Sequence, residues 1–335
     1  MGKALVHIGT GKTGTSSIQS ALFEMERRGG ACFKYPIVHG KGHQSLEILF
    51  KKYQRVSRGV RSKLDKAGSY DELKKTYESV LSRCFDGDVL LSSELLFSFN
   101  LEEVKIFRSY LEMQGVDDFK VVVYLRHPAS YYLSLVQQKV KAAYKIPSPL
   151  SFKAGYGKKL SNWLAVFGED VCVRRFDRSL MAGGNVLQDF SVLLSDFFNA
   201  DVSLAGGSVN ESVSAEGMVV LQEFRKYFFL DQEDRFSKKS NMLLKKIQNL
   251  ESEFPGSKPV LKSVYSRSVS NLNMDYLSIL SDFNLLMSSE VDSGAWATME
   301  GGDEVNFSGN VKDLLQDFDE DHYKFLLHKI AYDLI

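Results

Sequence analysis

The sequence predicts an α/β protein, a central parallel sheet covered on both faces, with a helical insertion and a mainly helical C-terminal region. Three observations carry this. Apolar runs of strand length recur at Ala4–Ile8, Asp88–Leu91, Lys120–Leu125 and Val171–Phe176, each closed by a glycine or polar turn. Between runs the period lengthens, with Ile18, Ala21, Leu22 and Met25 at i, i+3, i+4 and i+7, one face of a helix. Beyond Asn199 the strand signals fade.

Each element has its own signal. The first run ends at Gly9, and a glycine-rich loop leads to a helix from Thr15. About 80 residues separate the first two strands, enough for a helical insertion over about 40–85 that caps a site. Asp86-Gly87 opens the second strand and Ser92-Ser93-Glu94 closes it. The Val-Val-Val-Tyr-Leu core of the third run stops at Arg126-His127-Pro128. Proline is suited to the first helical position, so a helix is expected from Pro128 to about Ala143. A helical segment with Trp163 and Phe167 precedes the fourth strand. Helices are expected at Ser214–Phe229, Phe236–Glu253, Asp275–Met287 and from Val311 to the end, with loops at Gly206-Gly207 and Gly301-Gly302-Asp303.

The 335 residues are expected to form one elaborated domain, 1–335, with a core over 1–200 and a helical elaboration over about 210–335. With 42 Lys+Arg against 42 Asp+Glu, a protein that coats nucleic acid is disfavoured. The 44% apolar content excludes a disordered chain. Cys32, Cys84 and Cys172 are scattered and form neither a disulfide framework nor a zinc motif. No stretch reaches the ~18 apolar residues of a membrane span, and the start lacks a secretory pattern, so a cytoplasmic protein is expected.

The segment HIGTGKTGTSS, residues 7–17, carries the chemistry. A glycine-rich turn between strand and helix aims backbone N–H groups and the positive end of the helix dipole at one point, an anion site. Lys12 adds a full charge, and Thr13, Thr15, Ser16 and Ser17 add hydroxyls. A Walker A loop would need glycine where Val6 stands, and Ser92-Ser93-Glu94 lacks the apolar run plus Asp that holds Mg²⁺. An ordinary NTPase is disfavoured.

A strand followed by Lys12-Thr13-Gly14-Thr15-Ser16-Ser17 at a helix start resembles the 5′-phosphosulfate loop of sulfotransferases, which use 3′-phosphoadenosine-5′-phosphosulfate (PAPS). The family's second signature, an Arg at a strand end and a Ser eight positions on, is matched by Arg126 and Ser134. An Arg fork suits phosphate oxygens, and Ser130 lies one turn before Ser134. Asn210-Glu211-Ser212-Val213-Ser214-Ala215-Glu216 is similar to a segment of bacterial members that sulfate carbohydrates or glycolipids, and it also reads as a helix cap. The Trp163, Phe167, Gly168, Val171 and Phe176 spacing looks like those members too. Gly11 stands where many bacterial relatives carry His.

The resemblance covers about residues 4–220. It implies a P-loop-like three-layer fold and transfer of a sulfuryl group from PAPS to a hydroxyl or amine of a carbohydrate or glycolipid. No metal is required, and PAP is the product. Lys12 would stabilise the leaving phosphate, while Gly11, Lys12, Thr13, Gly14, Thr15, Ser16, Ser17, Arg126 and Ser134 would bind the donor. A P-loop kinase or other ATP-dependent phosphotransferase, and a non-catalytic anion- or glycan-binding relative, are the alternatives.

Two residues compete as general base. Glu94 follows a strand at the sheet edge where α/β folds bind ligands. His43 lies in the loop His39-Gly40-Lys41-Gly42-His43, expected to be flexible, and imidazole titrates near neutrality. The run Lys51, Lys52, Arg55, Arg58, Arg61, Lys63 and Lys66 carries seven positives against Asp65. It reads as a solvated helix face or as a landing for an anionic glycan or lipid headgroup. The acidic stretch Asp313–Asp321 is opposite in sign.

Overall fold

The computed structural model describes residues 2–29, 31–38, 40–67, 70–206, 212–229, 236–286 and 306–332. The chain forms two compact units, Met1–Arg126 with Tyr156–Val209, and His127–Gly155 with Asn210–Ile335. The expected passage from core to helical elaboration near residues 200–210 coincides with a unit boundary, and the segment His127–Gly155 belongs with the later residues.

The first unit is built on four parallel strands in the order β2-β1-β3-β4: β1 Gly2–His7, β2 Val89–Ser92, β3 Val116–Leu125 and β4 Val171–Arg175. Register pairs Leu5 with Leu90 and with Lys120, and Val121 with Val171. On one face Leu5, Leu90, Val122 and Tyr124 pack with α1 (Thr15–Arg27) and α7 (Val186–Phe198). The other face meets α4 (Leu101–Met113) and α6 (Tyr156–Phe167). There Trp163 stacks between Phe99 and Phe167, and Phe119 packs edge-on to Phe167. Two covered faces explain the continuous apolar runs.

The insertion is helical as expected, with short 3₁₀ turns at Gln44–Leu49 and Tyr53–Arg55, then α2 (Arg58–Ala67) and α3 (Tyr70–Ser82). Helix α4 was not anticipated, although Asn100 and Glu103 form a complete capping box at its start, a pattern readable in sequence. Helix α7 was also missed; its cap is Asn185, which accepts from the N–H groups of Leu187 and Gln188.

In the second unit α5 (Pro128–Lys139) begins at the expected proline. It ends at Lys139, short of Ala143, and a turn follows in which the N–H groups of Ala142 and Ala143 share the Lys139 carbonyl. Helices α8 (Ala215–Phe228), α9 (Lys238–Glu253), α10 (Ser263–Asn271), α11 (Asp275–Asp282), α12 (Val311–Leu314) and α13 (Glu320–Tyr332) follow. The single helix expected from Val311 is broken. Leu315 bridges to Leu261, and Asp319 then caps α13 by accepting from Asp321 and His322. Tyr132, Val136, Met218, Leu221, Ile247 and Leu326 lie in this unit's core. Among the described residues no helix is long and apolar enough to cross a membrane.

Candidate functional site

The chain leaves β1 for β2 on one side and then returns to β3 on the other. In open α/β sheets, ligands bind outside the carboxyl ends of strands at such a reversal. Here the loop after β1 and the end of β3 meet at that point. The N–H of Ile8 donates to Val122, that of Thr10 to Tyr124, and that of Tyr124 to Gly9, so the loop runs along β3 before turning into α1.

The turn is held from inside. The Thr10 carbonyl accepts the hydroxyls of Thr13 at 2.6 Å and Thr15 at 2.9 Å. Both threonines are buried, and their hydroxyls brace the loop from inside. Ser16 is exposed and Ser17 half-buried. Among the described residues, the N–H groups of Gly11, Thr13, Gly14, Thr15 and Ser16 donate to no other backbone group. Backbone donors without a backbone acceptor at a helix start are what an oxyanion site uses. Gly14 caps α1 with φ 78°, and a Cβ there would lie 2.6 Å from Val186 Cγ1. The side chain of Lys12 is exposed.

Arg126 ties the end of β3 to the loop that follows β1. Its guanidinium donates to the Lys12 carbonyl at 3.1 Å and lies 5.7 Å from the Phe176 ring centroid. The Tyr156 hydroxyl donates to the Arg126 carbonyl at 3.0 Å. Burial lowers the Arg126 pKa, but a guanidinium keeps its charge.

Glu94 sits beside the start of the same loop: a Cβ on Gly9 would fall 3.0 Å from Glu94 Cα. The N–H of Ser93 donates to His7, and Gln19 Nε2 reaches Glu94 Oε2 at 3.4 Å. The carboxylate is half-buried. The structure thus brings Lys12, Arg126 and Glu94 to one edge of the sheet.

His43 is not the loop histidine expected. It is buried, and burial drives its pKa down to about 4. Its Nδ1 accepts from the Ser92 N–H at 2.9 Å, which leaves Nε2 to donate to the Pro36 carbonyl at 2.6 Å. With its acceptor nitrogen engaged, His43 joins the segment after α1 to the end of β2 and has no lone pair for an acceptor proton. His7 is likewise buried, its pKa driven to about 3 by burial, and its Nδ1 meets Ser92 Oγ at 2.8 Å.

Other expected residues fall elsewhere. Ser134 is half-buried on α5 and Ser130 exposed one turn earlier, both in the second unit. His39, Asn210, Glu211, Gly207 and Gly301-Gly302-Asp303 lie outside the described residues, as do the side chains of Lys63, Asp65 and Lys66 and the position Met287. Ser214 caps α8 by accepting from Gly217, and its hydroxyl donates to Glu251. Glu216 is buried and accepts the N–H groups of Ser257 and Asp319. That segment therefore pins helices together.

The basic run is only partly solvated. Lys51 is buried against Glu47 at 2.7 Å and Ser98, and Arg55 pairs with Glu103 at 2.8 Å. Within the acidic stretch, Asp313 bonds Ser308 and Glu320 bonds Lys312.

Comparison with known proteins adds one partial likeness. The chain is 36% identical over 106 residues to an uncharacterized protein of Archaeoglobus fulgidus, and the match spans 30% of this chain and 28% of the archaeal protein. No protein-family model matches the chain, and no solved structure matches it.

Proposed function

We propose that the chain transfers a sulfuryl group from PAPS to a hydroxyl of a carbohydrate or glycolipid. The observation that carries this reading is the Arg126 guanidinium bonded to the Lys12 carbonyl. That contact sets a phosphate-matching fork against a loop in which, among the described residues, the N–H groups of Gly11, Thr13, Gly14, Thr15 and Ser16 donate to no backbone group, with a carboxylate alongside. The sequence resemblance supplies the donor's identity.

In this account the loop N–H groups hold the donor's 5′-phosphate and Arg126 holds a second phosphate. The role of Ser134 in that binding rests on the resemblance alone. The acceptor oxygen attacks sulfur in line as the bond from sulfur to the bridging phosphate oxygen breaks, and the acceptor proton passes to Glu94. PAP departs with its growing charge balanced by Lys12. Preorganised charges of this type contribute about 10²–10³-fold, and a positioned base about 10²–10⁴-fold. Glu94 is preferred to His43 because both imidazole nitrogens are engaged.

The test is transfer of labelled sulfate from PAPS to a panel of glycans and glycolipids. Lys12→Ala is expected to lose about 10²–10³-fold in kcat, and Glu94→Gln about 10²–10⁴-fold. Full turnover by Glu94→Gln would remove Glu94 as base. Transfer of phosphate from ATP instead would favour the kinase reading.

A further inference from the structure

The helix that opens with the anion loop is joined to Glu94 by a side chain that the proposed chemistry does not otherwise use. Gln19 lies on the buried stripe of α1 beside Ile18 and Leu22. A buried carboxamide must find partners for two donors and an acceptor oxygen, and Gln19 finds them. Its Nε2 shares its two hydrogens among three acceptors, the Ser92 carbonyl at 3.2 Å, Ser92 Oγ at 3.3 Å and Glu94 Oε2 at 3.4 Å. Its Oε1 accepts from Gln44 Nε2 at 3.0 Å. The Ser92 carbonyl can only accept, so the amide nitrogen must face β2 and the carboxylate.

The surrounding chain is shaped to this amide. At Gly42 a Cβ would fall 2.3 Å from the Gln19 carboxamide carbon, so no larger residue passes without displacing it. Ser92 is itself fixed, its N–H on His43 and its carbonyl accepting from the His43 N–H. Tyr35 is the titratable group that registers the Glu94 charge, its phenol pushed up first by burial and then by that carboxylate. The Tyr35 ring lies 4.6 Å from the neutral His43 ring.

We propose that Gln19 is a positioning residue for Glu94: it fixes the carboxylate against the end of β2 and ties its orientation to α1, whose N-terminus forms the anion loop. The proposal rests on the sulfotransferase reading for its catalytic consequence, though not for the contact. Misorienting a reacting group costs rate more than ligand affinity.

Gln19→Met keeps the length and apolar volume but deletes the donor, and Gln19→Leu replaces it should that chain not fold. Turnover is expected to fall about 10-fold with PAP affinity held within about 2-fold. In a Glu94→Gln background the same change is expected to alter the residual rate by less than about 2-fold, since the base is already gone. An equal loss in both backgrounds, or full turnover by Gln19→Met, overturns the proposal. Melting temperatures of Gln19→Met, Glu94→Ala and the double variant test the contact without activity. The double variant is expected to lose less than the summed losses, and additive losses overturn the contact. A wild-type chain that neither binds PAP nor transfers sulfate defeats the sulfotransferase reading instead, and the melting cycle still decides the contact.

Discussion

At the scale of single residues, Arg126 and the two buried histidines make separable predictions. Arg126 faces the loop through the Lys12 carbonyl. Arg126→Ala is therefore expected to weaken PAP binding by about 10-fold or more, as losing a charged hydrogen bond of roughly 1.5–3 kcal/mol would. Calorimetric titration with PAP checks it, and unchanged affinity removes Arg126 from the donor site. His43 and His7 have folded pKa values depressed to about 4 and about 3 by burial, below the ordinary 6.5. The unfolded chain therefore binds more protons below pH 6.5, and stability falls as pH drops from there toward 4. Each histidine steepens that fall by about 1 kcal/mol per pH unit. His43→Gln is expected to flatten the dependence of melting temperature on pH between 6.5 and 4, and an unchanged slope would contradict the assignment. That Lys12, Arg126 and Glu94 follow strand ends was legible in the sequence, because apolar runs and the turns that close them mark where strands stop. The structural duty of His43 was not, since a histidine that follows Gly40-Lys41-Gly42 looks solvated until its partners from Pro36 and Ser92 are known. Gln19 escaped notice although a glutamine within the apolar stripe of Ile18, Ala21 and Leu22 was the available signal.

At the scale of elements, the glycine loop depends on close packing between the start of α1 and the start of α7. Gly14 has φ 78°, and an added Cβ would meet Val186 Cγ1 at 2.6 Å. Gly14→Ala is expected to destabilise the fold by about 2–4 kcal/mol, combining overpacking with a left-handed backbone. Adding Val186→Ala should restore only the packing share, measured by urea unfolding, and no recovery would place the whole cost in the backbone. The four strands and α1 were readable because burial on both faces writes continuous apolar runs. The break in the last helix was not, because it is set by the Leu261–Leu315 bridge. A pairing between residues so far apart in sequence leaves no local trace.

At the scale of the whole molecule, equal numbers of acids and bases conceal opposite local arrangements. Some of the cationic run is spent on structure: Lys51 is buried with Glu47, and Arg55 is bound to Glu103. Lys12 and Arg126 instead stand where the strand order reverses, at the proposed donor site. Sulfuryl transfer as proposed requires this site to take the PAP moiety without a metal. Titration of the full chain with PAP in excess chelator tests this. Saturable PAP binding unchanged by chelator is expected, with a rise in melting temperature that grows with ligand concentration. Absence of binding at millimolar PAP and PAPS, or binding of ATP only when Mg²⁺ is present, would contradict it.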